Sequence, residues 1–274
     1  MQELNHKIGF IGCGKMAQAM IEGMLAKETV TPGQITASAS SDTTLEHVRN
    51  KFGIHTTLRN AEVTAQSDII FLAVKPDLHR KIIEEITPSL KKEAVVVTIA
   101  AGISLAFMQQ ELGQEAKVIR TMPNTPSLVG EGLSAICPNT NVSPKELQDI
   151  LELFNSFGKT EVLKEELMDS VPAISGSSPA YVYMMIEALA DGGVRDGISR
   201  KQAYTMAAQA VLGAAKMVLE TGMHPGELKD HVCTPGGSTI QAVAALEQHN
   251  FRSAILTAMK SCTEKSKELQ KENS

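Results

Sequence analysis

The sequence contains no tryptophan, and aromatic side chains make up only 4% of its 274 residues. Cysteine is scarce as well: Cys13, Cys137, Cys233 and Cys262 are the four positions, and they are far apart. This spacing matches neither a disulfide framework nor a zinc site. We therefore expect no metal and expect reduced thiols, which are typical of cytoplasmic proteins.

Long apolar runs and an excess of positive charge are also missing. The longest apolar region, 94–107, is interrupted by polar residues and glycine and is too short to span a bilayer. Residues 1–7 are polar and too few for a signal peptide. The net charge of −5 provides no electrostatic reason to expect a nucleic acid or a membrane as partner. The sequence thus predicts a cytoplasmic protein that binds neither.

A glycine turn lies close to the N-terminus, between an apolar run and a helical pattern. Residues 8–11 are largely apolar and lead into 12–17, Gly-Cys-Gly-Lys-Met-Ala, after which methionines recur at helical spacing. Strand, G-x-G-x-x-A turn and helix are the context of a dinucleotide-binding site. Gly12 permits the tight turn, Gly14 lets the backbone approach a pyrophosphate, and Ala17 allows the helix to pack closely. An ordinary strand–turn–helix connection is the alternative.

The first half of the chain alternates apolar strand patterns with helical ones. Further strands are predicted at 35–39, 68–74, 94–99 and 118–121. This alternation predicts βαβ units and therefore an α/β domain with a doubly wound parallel sheet of the Rossmann type. Ligands bind such sheets beyond the carboxyl ends of the strands.

The end of the second predicted strand lacks the acidic residue that NAD-preferring sites use to hold the ribose 2′-hydroxyl. Ser38, Ala39, Ser40 and Ser41 occupy this place, and Asp42 is the first acid. Hydroxyl groups can bond a 2′-phosphate, and no carboxylate there repels it. We therefore expect NADPH to be preferred and NADH to be used as well.

After residue 162 the strand patterns stop. Helices are predicted at 165–196, 199–221, 226–233, 238–249 and 251–271. Alanine-rich helices with few aromatic residues make a thin core, so some apolar surface should be buried against another subunit. We predict a dinucleotide-binding domain at 1–162 and an all-α substrate-binding and dimerisation domain at 163–274. The expected assembly is a homodimer, and a larger ring built from such dimers is an alternative.

A Thr-Pro-Gly-Gly-Ser-Thr turn at 234–239 precedes one of these helices. Free backbone N–H groups at a helix start can hold a carboxylate. Capping of the helix by Ser238 or Thr239 without any ligand is the commoner alternative.

Six motifs occur together in one order: the glycine turn, Ala73–Pro76, 122–126, 175–181, 190–194 and 224–239. In this order they closely resemble the pyrroline-5-carboxylate reductase family over essentially the whole chain. The segment 235–239 is specific to that family, whereas many dehydrogenases share the glycine turn.

The resemblance implies NAD(P)H-dependent reduction of the C=N bond of 1-pyrroline-5-carboxylate to L-proline. It implies that Thr239 is the catalytic residue and that its hydroxyl forms a hydrogen bond with the ring nitrogen. It implies substrate contacts from Glu165, His231, Gly236, Gly237 and Ser238. It implies cofactor contacts from Ile11, Gly12, Cys13, Gly14, Lys15, Met16, Ala17, Ser38, Asn60, Ala73, Val74, Lys75, Pro76 and Ala100. His231 is a departure, because asparagine is common there in the family.

Two alternatives remain at the level of sequence. One is a β-hydroxyacid dehydrogenase or another imine-reducing enzyme, although the catalytic lysine of the first group has no counterpart at 179–183. The other is a protein that binds nicotinamide nucleotides without turning them over. Oxidation of NADPH that depends on the pyrroline substrate distinguishes these possibilities.

Overall fold

The computed structural model describes residues 4–272. The chain divides into two compact units, residues 1–176 with 262–274, and residues 177–261. The domain boundary expected after residue 162 stays a prediction. The expectation that residues 1–7 are not a signal peptide concerns, in part, residues 1–3, which lie outside the described residues. Between residues 4 and 272 no helix is both long enough and apolar enough to cross a bilayer.

Eight strands of the described chain form one sheet in the first unit: β1 (Ile8–Ile11), β2 (Ile35–Ser38), β3 (His55–Thr57), β4 (Ile69–Leu72), β5 (Val95–Thr98), β6 (Lys117–Met122), β7 (Gly132–Pro138) and β8 (Gly158–Val162). Their order is β3-β2-β1-β4-β5-β6-β7-β8. The neighbours from β3 to β6 are parallel. The chain leaves β1 towards β2 and later returns to β4 on the other side of β1. This reversal makes a topological switch point between β1 and β4, and the predicted doubly wound α/β fold is confirmed.

Alternate residues of the central strands enter two separate cores. Phe10, Phe71 and Val97 belong to one buried cluster, whereas their neighbours Ile11, Leu72 and Val96 belong to the other. Because side chains alternate across a sheet, both faces must be covered, and this explains the continuous apolar runs in the sequence. The helices of this unit are α1 (Lys15–Ala26), α2 (Asp42–Phe52), α3 (Asn60–Gln66), α4 (His79–Ile86), α5 (Leu105–Leu112), α6 (Pro144–Asn155) and α7 (Glu165–Met168).

Three strands were not predicted from the sequence. β3 and β8 are the outermost strands of the sheet, and no residue of either is fully buried. An edge strand exposed in this way carries no apolar run. β7 is mostly buried but runs antiparallel to β6, and β8 pairs with β7 in parallel, so the last two strands run opposite to the other six.

The second unit contains α8 (Ser178–Arg195), α9 (Arg200–Thr221), α10 (Pro225–Val232), α11 (Ser238–Gln248) and the start of α12 (Phe251–Glu272). The predicted all-α character of this region is confirmed, but the single helix expected at 165–196 is wrong. The chain instead forms α7, a π-helical turn at Pro172–Gly176 and then α8. Pro172 and Pro179 lack the N–H that a continuous helix needs, so the helical path is interrupted. Large apolar side chains of α8 and α9, such as Met184, Met206 and Leu219, are exposed.

Candidate functional site

A cleft of about 720 Å³ opens at the carboxyl ends of β1 and β4, at the switch point of the sheet. Its lining comes from the glycine turn, the end of β2, the start of α3 and the loop after β4. The lining residues are Ile11, Gly12, Cys13, Gly14, Lys15, Gln18, Ala39, Ser40, Thr44, Leu58, Asn60, Ala73, Val74, Lys75, Asp77, Leu78 and Ile82.

Gly12 is required by the fold itself. Its φ of +87° lies in the left-handed region, which side-chain-bearing residues rarely adopt. A Cβ at this position would lie 2.6 Å from the carbonyl oxygen of Ala73 and 2.9 Å from Cγ1 of Val74. The missing side chain therefore lets β1 turn sharply beside the end of β4.

Gly14 has a different role, because the protein leaves space around it. Its backbone is extended, and a Cβ there would meet no atom within 4 Å. It is the N-cap of α1, and no side chain bonds the free N–H groups of the first turn. Uncapped N–H groups beside open space suit a pyrophosphate, which adds negative charge at the positive end of the helix dipole.

The thiol of Cys13 is a structural part of this turn. Burial raises its pKa to about 11, so the sulfur remains a neutral thiol at physiological pH. The carbonyl oxygen of Cys13 accepts a hydrogen bond of 2.9 Å from Nε2 of Gln18. This bond ties the turn to the second turn of α1 and holds the glycine loop in shape.

The serine that ends β2 and one serine in the segment after it have different environments. The hydroxyl of Ser38 is buried and donates to Oδ1 of Asn60 at 2.6 Å, while Nδ2 of Asn60 donates to Glu85 at 3.0 Å. Ser38 therefore lies behind the wall of the cleft. Ser40 and Thr44 line the cleft itself and bring hydroxyl groups to the place where other sites carry an acid.

Charged side chains at the cleft are few. Lys15 and Lys75 are exposed and line it, and Asp77 is the one carboxylate among the lining residues. The excess of positive charge favours an anionic ligand.

The structure brings most of the predicted cofactor residues together. Those that line the cleft are Ile11, Gly12, Cys13, Gly14, Lys15, Asn60, Ala73, Val74 and Lys75. Met16, Ala17, Ser38, Pro76 and Ala100 are outside its lining. Ala39 and Ser40 line the cleft as well, in the segment where hydroxyl groups for a 2′-phosphate were predicted. Gln18, Thr44, Leu58, Asp77, Leu78 and Ile82 were not predicted, although the helical period after the glycine turn and the segments following β2, β3 and β4 could have suggested them.

Glu165 belongs to a partly buried charge network in the first unit. Its Oε1 accepts from the backbone N–H of Leu105 at 2.6 Å and lies 3.5 Å from Nη1 of Arg120. Arg120 is 4% exposed and bonds Asp169 at 2.6 Å. These contacts give Glu165 a structural role at the start of α5, and its contact with a substrate stays a prediction.

The 234–239 turn forms in the second unit as the sequence predicts. Gly236 has a φ of +72°, and the N–H of Gly237 donates to the carbonyl of Thr234 at 3.0 Å. A Cβ on Gly237 would lie 2.3 Å from Oγ1 of Thr234, so this glycine is needed for the turn to close. α11 follows directly.

Gly237, rather than Ser238 or Thr239, is the N-cap of α11, and no side chain caps the helix. The alternative in which one of these hydroxyls caps the helix is wrong. Thr239 is half-buried in the first turn, whereas Ser238 and His231 are exposed. The N–H of Gly237 is bonded within the turn, so the N–H groups of Ser238 and Thr239, in the uncapped first turn of α11, are the ones that suit an anion. No cluster of three or more metal-binding side chains occurs among residues 4–272.

Two family models match separate parts of the chain. Residues 165–269 match the model described as pyrroline-5-carboxylate reductase dimerisation. Residues 7–102 match the model described as NADP oxidoreductase, coenzyme F420-dependent.

Whole-length relatives extend these matches. The chain is 50% identical over 268 residues to a pyrroline-5-carboxylate reductase of Escherichia coli (strain K12), a match that covers 98% of this chain and 100% of the relative. It is 44% identical over 267 residues to the enzyme of the same name from Methanosarcina acetivorans, with 97% and 99% covered.

Solved structures agree with these relatives. A pyrroline-5-carboxylate reductase from Coxiella burnetii superimposes with a TM-score of 0.91 at 32% identity, covering 97% of this chain and 99% of that one. The Plasmodium falciparum pyrroline carboxylate reductase, with NADP bound, gives a TM-score of 0.87 at 33% identity, with 98% and 100% covered.

Proposed function

The chain belongs to the pyrroline-5-carboxylate reductase family, and we propose from this premise how its residues share the work of the reaction. The enzyme is an NAD(P)-dependent oxidoreductase that reduces 1-pyrroline-5-carboxylate to L-proline in proline biosynthesis. The observation that carries the proposal is the cleft beside Gly14, where open space meets the uncapped start of α1.

The cleft in the first unit holds the nicotinamide cofactor, and the bound cofactor supplies the hydride. The N–H groups at the start of α1 and the open face of Gly14 receive the pyrophosphate. Lys15 and Lys75 add positive charge around it. Asn60, held by Ser38 and Glu85, supports the wall at the end of β2.

NADPH is the preferred cofactor in this proposal. Ser40 and Thr44 offer hydroxyl groups near the end of β2, and neither Ala39 nor Ser40 repels a 2′-phosphate. Hydroxyl groups bond phosphate more weakly than arginine, so the preference is modest and NADH also serves.

The start of α11 binds the substrate. The backbone N–H groups of Ser238 and Thr239 hold its carboxylate, while the N–H of Gly237 is bonded to the carbonyl of Thr234 and closes the turn that presents them. The hydroxyl of Thr239 donates a hydrogen bond to the ring nitrogen. When a hydride adds to the imine carbon, the π electrons of the C=N bond move to that nitrogen, which takes up one proton from solvent and becomes the amine. The hydrogen bond strengthens as the nitrogen becomes basic and therefore stabilises the transition state.

His231 and Glu165 are secondary substrate contacts in this proposal. His231 is exposed on α10, where its imidazole can donate to or accept from a ligand. Oε1 of Glu165 makes both the hydrogen bond with the N–H of Leu105 and the ion pair with Arg120, and its other carboxylate oxygen is the one that we assign to the substrate.

The enzyme is an oligomer that acts on a small molecule, and a homodimer is the assembly that we propose. α8 and α9 expose many large apolar side chains. A soluble monomer rarely exposes so much contiguous apolar surface, so this surface suits a contact with a second subunit. Residues 163–274 would form the dimerising and substrate-binding domain and residues 1–162 the cofactor domain. A larger ring of dimers is an alternative arrangement. Cys13, Cys137 and Cys233 are thiols outside any disulfide, which fits a reducing compartment such as the cytoplasm.

One assay tests the proposal against both alternatives. The purified protein should consume NADPH only when 1-pyrroline-5-carboxylate is present and should form L-proline in equal amount. Turnover of a β-hydroxyacid in place of the imine would instead favour the hydroxyacid dehydrogenase alternative. Tight NADPH binding without turnover of any imine would favour a nucleotide sensor.

A further inference from the structure

A fully buried histidine, His79, lies at the start of α4 and is outside the lining of the cofactor cleft. Its Nδ1 is 3.1 Å from the carbonyl oxygen of Lys75, and its Nε2 is 3.0 Å from Oγ1 of Thr98. One imidazole thus joins the loop after β4 to the end of β5.

The partners determine which ring nitrogen carries the proton. A carbonyl oxygen only accepts, so Nδ1–H donates to Lys75 and Nε2 accepts from the hydroxyl of Thr98. Burial lowers the pKa of His79, and a neutral ring fits both bonds. Thr98 continues the connection, because its Oγ1 accepts from the N–H of Ala100 at 3.3 Å and its carbonyl accepts from Thr121 at 2.9 Å. The carboxyl ends of β4, β5 and β6 are therefore linked by one set of oriented hydrogen bonds.

The loop that His79 holds forms part of the cleft wall. Val74 and Lys75 line the cleft. Val74 also lies close to Gly12, since a Cβ on Gly12 would be 2.9 Å from its Cγ1. The Lys75 carbonyl accepts a second hydrogen bond, from the N–H of Leu78 at 3.1 Å. Two donors fix the orientation of this peptide group, whereas the Leu78 bond alone would fix only the local turn.

We propose that His79 is a positioning residue, which holds the Val74–Lys75 loop in the shape that receives the nicotinamide cofactor. This inference rests on the proposed function for the identity of the ligand. A side chain needed only to fill the core at this place would be more stable as leucine, because a buried imidazole must have both nitrogens satisfied. The two hydrogen bonds to the cleft loop and to β5 explain why a polar ring occupies the site.

Three substitutions separate the two bonds of the ring. His79→Leu removes both. His79→Asn retains a donor close to the position of Nδ1, and His79→Gln retains an acceptor close to the position of Nε2. NADPH affinity is measured by calorimetry without substrate, and KM and kcat are measured separately. Ile86→Val, a buried change at the other end of α4, is the control for loss of helix stability.

We expect His79→Leu to weaken NADPH binding about three- to tenfold, the worth of one ordinary hydrogen bond. His79→Asn should recover most of the affinity, because it keeps the bond to the Lys75 carbonyl, and His79→Gln should recover little. The KM for 1-pyrroline-5-carboxylate should stay unchanged. Ile86→Val should lower the melting temperature without changing the affinity for NADPH.

Two results would overturn the inference. A folded His79→Leu enzyme with normal NADPH affinity would make His79 a core residue only. Equal losses in the Asn and Gln variants would do the same and serve as the test if the Leu variant fails to fold. Failure of the proposed function is recognised separately, since the wild-type protein would then bind NADPH without reducing the pyrroline.

Discussion

The two glycines of the N-terminal turn should respond differently to the same substitution. Gly14→Ala places a methyl group in space that no protein atom occupies, at a φ of −74° that alanine adopts easily. The lower entropy of the unfolded chain stabilises the variant by about 0.4–1 kcal/mol. Alanine is a poorer N-cap than glycine, which costs roughly 0.5 kcal/mol in return. We expect the free energy of unfolding to change by less than about 1 kcal/mol.

Gly14→Ala should weaken the binding of the cofactor. The methyl group would lie where the backbone of Gly14 approaches the pyrophosphate, so the ligand must shift away from the N–H groups of α1. Overpacking of this kind costs about 1–3 kcal/mol, which corresponds to roughly five- to 150-fold weaker NADPH binding. Calorimetric titration gives the affinity, and a thermal melt without ligand gives the stability.

Gly12→Ala is the contrasting variant and Gly33→Ala the matched control. Alanine at Gly12 must adopt a left-handed backbone, at about 1–2 kcal/mol, and its methyl group meets the Ala73 carbonyl, at about 1–3 kcal/mol. This variant should lose stability even without cofactor. Gly33→Ala puts a methyl group in open space away from the cleft. It should raise stability by no more than about 0.4–1 kcal/mol, through the lower entropy of the unfolded chain, and should leave the affinity for NADPH unchanged. If Gly14→Ala bound NADPH as the wild type does, the pyrophosphate site would have to be placed elsewhere.

Three further predictions follow from the same structure. Steady-state kinetics should give a higher kcat/KM with NADPH than with NADH, by roughly 1–2 kcal/mol, and Ser40→Asp should reverse the order; equal preference in the wild type would contradict it. Sedimentation at micromolar concentration should show a dimer or larger species that buries over about 2,000 Å² per interface, and an active monomer would refute this. Thr239→Val should lower kcat about ten- to a thousandfold with little change in the KM for NADPH, whereas Thr239→Ser should be close to wild type; a normal kcat in the valine variant would remove the catalytic assignment.

The central part of the fold could be predicted from the sequence because burial on both faces leaves a strong pattern. β1, β4 and β5 are continuous apolar runs, and the glycine turn marks the first strand–helix junction. β3 and β8 are exposed edges, so their stability comes from pairing with a neighbour rather than from their own side chains. Such pairing depends on contacts far apart in the sequence, and no local pattern reports it.

The cleft was predicted less completely than the fold, for a reason that Ser38 and Ser40 illustrate. Both are serines near the end of β2, but Ser38 is the last buried residue of the strand and Ser40 lies in the cleft. A difference of two residues in where a strand ends decides which hydroxyl meets a ligand, and strand ends are poorly defined by sequence. His79 was missed because a histidine among charged residues at a helix start reads as a surface position, whereas the fold buries it.

The starts of α1 and α11 share a feature that connects the two halves of the proposal. Among the described helices with an assigned N-cap, these two begin at a glycine, Gly14 and Gly237, and neither has a side-chain cap. In α2, α5 and α6 a serine side chain caps the first turn instead. A serine hydroxyl satisfies an N–H that an anionic ligand would otherwise bond, while glycine costs a helix only a few tenths of a kcal/mol relative to serine. Glycine at the N-cap therefore leaves the N–H groups free at little cost to stability. The sequence uses it at the two helices to which we assign the pyrophosphate and the substrate carboxylate.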